Sequence, residues 1–109
     1  MQTKAEKYEA LLPRAQALLS GEKDMIAGMA NLAALLHYEF GFWWTGFYRV
    51  EQFPGHIACS SESRSEIVVP LRRSGRIIAV LDIDSRELAT FDEVEALWLE
   101  KILQDGLLG

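Results

Sequence analysis

The chain carries a single cysteine, Cys59, in 109 residues. One thiol cannot close an internal disulfide, so cross-linking is excluded as a source of stability, and a reducing, cytoplasmic setting is expected. Basic residues are also scarce: 11 Lys and Arg against 16 Asp and Glu leave a formal net charge of −5. Such a surface disfavours nucleic acid and anionic membranes as partners. No apolar run is long enough to span a bilayer. The opening Met1–Lys7 is charged and begins no signal-peptide core. Neither a glycine-rich phosphate loop nor a nucleophile elbow occurs. One Cys and two His are too few for a closed zinc site, and metal-ligand spacing is missing, so neither metal nor cofactor is expected. Internal repeats, linkers and low-complexity stretches are absent. The length suits one domain, 1–109, with a single modest core.

What is present reads as helices followed by strands and a closing helix. Tyr8, Leu11, Leu12, Ala15, Leu18 and Leu19 recur at helical spacing, with Pro13 expected to kink or break the helix. A second helix is expected over 22–39, with a stripe of Met25, Ile26, Met29, Ala33 and Leu36 widened by Leu32, Leu35 and Phe40. Gly41 suits its C-terminus. His37 near that end reads as a surface cap rather than a ligand.

Phe42–Val50 is aromatic and β-branched, as strands are. Alternation puts Phe42, Trp44, Tyr48 and Val50 on one face and Trp43, Thr45, Phe47 and Arg49 on the other. Gly46 leaves a gap between Trp44 and Tyr48. It marks either a bulge in a core strand or room for a ligand against an aromatic wall.

Pro54-Gly55 punctuates a loop. Strands over 67–71 and 76–84 follow, joined as a hairpin through Arg72-Arg73-Ser74-Gly75. Pro70 places the first at an edge or bulge. The second, apolar on both faces, is expected to be central. Hairpin pairing brings Glu66 opposite the region of Asp82, with Asp84 on the same face. Opposed carboxylates destabilise a sheet, so this cluster needs a cation, a shared proton or plain exposure at solvated strand ends. Thr90 and Glu93 read as a capping box. The last helix has a stripe of Val94, Leu97, Trp98, Ile102 and Leu103, with Gly106 as its stop.

Cys59 is open to two readings. Most free cysteines are small buried hydrophobes. A nucleophile would need a depressed pKa or an adjacent base, and His56 is near in sequence.

Trp44-Thr45-Gly46-Phe47-Tyr48, Phe53-Pro54-Gly55-His56-Ile57-Ala58-Cys59, Ser63-Arg64-Ser65-Glu66-Ile67-Val68-Val69-Pro70 and Val80-Leu81-Asp82-Ile83-Asp84-Ser85 together closely resemble the free methionine-(R)-sulfoxide reductases, which are built on a GAF domain. The resemblance covers most of the chain. It implies an α+β fold, a GAF-like antiparallel sheet with the N-terminal and C-terminal helices packed on one face, in reduced form. It implies Cys59 as the attacking cysteine, with catalytic and pocket carboxylates at Glu66, Asp82 and Asp84. Trp44 and Tyr48 would form the wall of the substrate site. Free methionine-(R)-sulfoxide would be the substrate, and thioredoxin or a small thiol the reductant.

It also implies a departure. The family carries a further segment between the Gly-Phe-Tyr strand and the Phe-Pro-Gly-His loop. That segment holds more strands, a lid and the resolving cysteine. Here Val50 runs straight into Glu51. Two other readings therefore stand beside the enzyme: a GAF-type module that binds a small ligand without chemistry, and a scaffold, such as a homodimer that covers an open sheet edge.

Overall fold

The computed structural model describes residues 1–50 and 64–108. Its elements are α1 (Lys4–Leu19), α2 (Met25–Phe40), β1 (Trp44–Arg49), β2 (Ser65–Arg73), β3 (Arg76–Ser85) and α3 (Glu93–Leu107). The strands form one antiparallel sheet in the order β1-β3-β2. The fold is α+β, as expected.

β3 reads apolar on both faces because it is the central strand, flanked by β1 and β2. Its turn from β2 has Ser74 at φ 53° and Gly75 at φ 79°. Two consecutive positive φ values define the mirror-image hairpin turn whose twist matches that of the strands. Among the described residues β2 pairs only with β3, so Pro70 lies on an outer strand, and the ladder is irregular at Leu71/Arg72, next to it. A residue without an N–H is tolerated in such places.

Alternation along the strands decides where the core sits. Val69 and Leu71 of β2 and Ala79, Leu81 and Ile83 of β3 are buried. They pack with Leu11, Met29, Leu32, Leu36, Leu99, Ile102 and Leu103 of the helices. Each fully buried leucine contributes about 1.5–3 kcal/mol. A stack of rings closes the end of this core: Tyr8 on Phe40 (centroids 4.4 Å apart), Phe40 on Phe42 (5.4 Å), and Phe42 against Phe91 (5.6 Å). Phe42 therefore precedes the strand and belongs to the core, not to a wall with Trp44.

Other local expectations are corrected. Pro13 does not end α1, which runs through it. Pro13 and Glu9, whose carbonyl loses its partner, are both exposed, so that carbonyl has access to water. The second helix starts at Met25 because Asp24 caps it, its side chain accepting from the Ile26 N–H at 3.0 Å. Gly41 ends it at φ 64°, as expected of a left-handed cap. His37 in its last turn is exposed, with Nδ1 3.3 Å from Thr45 Oγ1.

The capping box of α3 is Asp92 with Glu95, not Thr90 with Glu93. The Asp92 carboxylate accepts from the Val94 N–H at 2.8 Å, and Glu95 Oε1 accepts from the Asp92 N–H at 2.9 Å. Glu95 also receives Lys4 Nζ at 3.1 Å, which is how a carboxylate comes to be buried between α1 and α3. With Glu95 facing inward, the stripe rotates: Leu99 is buried and Leu97 is 68% exposed. Gly106 does not stop α3. It lets α1 approach, since a Cβ there would lie 3.2 Å from Leu19 Cδ1.

Candidate functional site

The face of the sheet away from the helices carries the even-numbered residues of all three strands. Glu66 pairs with Asp84 across β2–β3, and Val68 with Asp82. Across β1–β3, Trp44 pairs with Asp84, Gly46 with Asp82 and Tyr48 with Val80. Glu66, Asp82, Asp84, Trp44 and Tyr48 thus gather on one face. Glu66 stands opposite Asp84 rather than opposite Asp82. Strand alternation keeps it beside both, and one carboxylate oxygen from each of the three lies within 4.8 Å of the others.

The strand end is held by polar contacts that the motifs did not reveal. Ser85 is buried, with its Oγ 2.7 Å from the Thr90 hydroxyl and accepting from the Glu87 N–H at 3.0 Å. Ser65 donates to the Glu87 carbonyl at 2.7 Å. The backbone of Asp84 accepts from the Trp43 N–H at 3.0 Å. Trp43 itself faces solvent under the Arg86 guanidinium, 3.6 Å from its ring. These contacts fix where the Asp84 side chain leaves the sheet.

Asp82 is 1% exposed and Asp84 4% exposed. They are not solvated strand ends, whereas Glu66 is exposed. Both carboxylate oxygens of Asp82 and Oδ1 of Asp84 are buried without a hydrogen-bond partner among the described residues. Burial pushes the Asp82 carboxyl up to about 8, aided by the neighbouring Glu66 carboxyl and by the charge of Asp84. Burial raises Asp84 to about 6, with the Glu66 charge next. At neutral pH the cluster holds a proton that ordinary carboxylates would have lost. Its spacing also suits a small cation, whether a metal ion or an ammonium group.

The aromatic residues lie beside this cluster. Tyr48 is half-buried, and its hydroxyl pKa is raised by burial and by the charges of Asp82 and Asp84, while the neighbouring Trp44 side chain opposes the shift. Pairing runs regularly through Gly46, so there is no bulge there. The gap is filled. A Cβ built at Gly46 would lie 2.8 Å from Cζ2 and 3.1 Å from Cε2 and Nε1 of Trp44. The indole is thus folded along the strand, over Gly46. A groove of about 570 Å³ between α2 and β1, lined by Ile26, Met29, Ala33, Phe47 and Arg49, reaches this wall at Trp44, Gly46 and Tyr48. Cys59 and His56 lie outside the described residues, as does the Glu51 side of the Val50–Glu51 junction.

No protein-family model matches the chain. It is 39% identical to GAF domain-containing protein A of Dictyostelium discoideum, over 94% of this chain and 91% of that one. It is 30% identical to the free methionine-R-sulfoxide reductase of Escherichia coli, over 92% and 86%. The crystal structure of the free methionine-R-sulfoxide reductase of Neisseria meningitidis in complex with its substrate superimposes with a TM-score of 0.85. It shares 35% identity over 96% of this chain and 89% of that one. The alignment with the Dictyostelium protein runs over 144 residues although this chain has only 109. Such relatives carry residues within the matched span that this chain lacks, in keeping with the departure noted above. With its sheet, its acidic face and these identities, the chain belongs to the free methionine-R-sulfoxide reductase family of GAF-domain proteins.

Proposed function

We propose that the chain reduces free methionine-(R)-sulfoxide to methionine, with Cys59 as nucleophile and Glu66, Asp82 and Asp84 as proton source and ammonium site. The observation that carries this reading is Asp82: a buried carboxyl, unpartnered among the described residues, between a second buried carboxyl and an aromatic wall. It belongs to a chain similar to a reductase solved with its substrate.

The chemistry follows from the groups. The Cys59 thiolate attacks the sulfoxide sulfur. A carboxyl that keeps its proton near neutral pH supplies it to the sulfoxide oxygen, which cannot leave unprotonated. The attack forms an S–S bond; the protonated oxygen then passes to the Cys59 sulfur as the substrate's S–O bond and the new S–S bond break, which leaves Cys59 a sulfenic acid and releases methionine. The cysteine sulfur has then lost two electrons and the methionine sulfur has gained them. The carboxylates that remain ionised hold the ammonium group of the amino acid, and Trp44 and Tyr48 face its thioether end. As Cys59 is the only cysteine, the sulfenic acid must be reduced by an external thiol, either thioredoxin or a small molecule.

A second reading, a GAF-type module that binds the amino acid without turnover, is favoured by the same lack of a second cysteine. Calorimetric titration of free methionine-(R)-sulfoxide, with methionine release measured in parallel, separates the two. An enzyme binds and releases methionine, and Cys59→Ser keeps the binding while losing the release. A binding module binds without release. A scaffold does neither.

A further inference from the structure

We infer that Gly46 is a positioning residue for the substrate wall: the absence of its side chain is what seats the Trp44 indole along β1. This rests on the reading of Trp44 and Tyr48 as the wall, and it adds a residue that touches no substrate.

The backbone does not require glycine here. Gly46 is not among the positive-φ glycines, and it pairs in register with Asp82. An alanine would fit the strand's conformation. What it would not fit is the indole, since separations of 2.8–3.1 Å to three ring atoms lie inside van der Waals contact. The obstruction is not the end of a flexible chain. A rigid bicyclic ring can yield only by turning as a whole about χ1 and χ2. That rotation swings the indole off the strand and away from the face that carries Asp82 and Tyr48. Trp44 is 47% exposed, so solvent leaves it room to turn. Gly46 and Trp44 therefore act as one unit, in which the missing Cβ of one is the seat of the other.

Two measurements test this. The first needs no substrate. Three tryptophans give three indole N–H resonances, and Trp44→Phe identifies the relevant one. Gly46→Ala should shift that resonance, with the rest of the spectrum little changed. An unmoved Trp44 resonance overturns the inference.

The second is a double-mutant cycle on the binding of free methionine-(R)-sulfoxide. Gly46→Ala should weaken binding about fivefold to tenfold, the size of one lost aromatic–sulfur contact. Placed on Trp44→Ala it should have no further effect. An equal loss in both backgrounds shows that Gly46 acts without the indole and overturns the inference. Should Gly46→Ala fail to fold, the double variant should fold, because the colliding ring is gone; failure of both also overturns it. If the parent chain binds no sulfoxide, the proposed function falls, while the resonance still decides the role of Gly46.

Discussion

Glu66 stands directly across the β2–β3 ladder from Asp84, two carboxylates at a position where like charges repel. The sheet tolerates the pair because Glu66 reaches solvent while the buried Asp82 beside them keeps its proton. The arrangement makes stability and function oppose each other at the same three residues.

One consequence is a pH-dependent stability with a defined sign. Asp82 titrates near 8 when folded against an ordinary value of 3.8, and Asp84 near 6. Between these limits the folded chain holds more protons than the unfolded one. The stabilising contribution is therefore complete below about pH 4 and is lost as pH rises toward 8, at up to ~1.4 kcal/mol per pH unit per proton. Asp82→Asn should flatten this decline and raise Tm at pH 7–8. Denaturant melts at pH 5 and pH 8 measure it, and a parent that grows more stable over that range would contradict it.

Removal of the carboxylates should act on binding. Asp84→Ala should weaken binding of the zwitterion by about 3–5 kcal/mol if its ammonium is fully desolvated against the side chain. Glu66→Ala, at an exposed position, should cost about 1 kcal/mol or less. Titration of each variant gives the ranking; equal losses would show that burial does not set the strength of the pair.

Ser74 offers a test of the hairpin. Its φ of 53° is one that Asn adopts more readily, and Asn-Gly is the preferred pair for this turn. Ser74→Asn should stabilise the chain by about 0.5–1 kcal/mol, read as a higher denaturant midpoint at unchanged slope. A lower midpoint would mean that the turn has another geometry.

The lone cysteine predicts how reduction stops. A single turnover should proceed without added reductant, and steady-state turnover with thioredoxin should be slow. A small thiol should restore cycling by attacking the sulfenic acid. Rapid thioredoxin-driven turnover would show that no resolving cysteine is needed.

Much of this was legible in the residues. The central strand, the outer-strand position of Pro70 and the hairpin follow from apolar patterning and a Gly-containing turn. The shared face of Asp82, Asp84 and Glu66 follows from strand alternation. What escaped depends on tertiary partners. Leu97 and Leu99 fit an apolar helix equally well until Glu95, drawn inward by Lys4, sets the rotation of α3. Phe42 continues the strand pattern, but stacking on Phe40 and a tilted contact with Phe91 take it into the core. Thr90-x-x-Glu93 satisfies a capping rule that Asp92-x-x-Glu95 satisfies as well, and only the Ser85 contact shows that Thr90 is already engaged. The fold of Trp44 over Gly46 has no signature beyond a glycine between aromatics, which suggested a bulge as readily as a pocket.

The measurement closest to the central claim is the fate of Cys59 after one equivalent of free methionine-(R)-sulfoxide. With a sulfenic-acid trap and intact-mass detection, the account predicts one trapped adduct on Cys59 and one methionine released per chain, with both absent in Cys59→Ser. An unmodified Cys59 beside unconsumed, bound sulfoxide would contradict it and leave the chain a binding module.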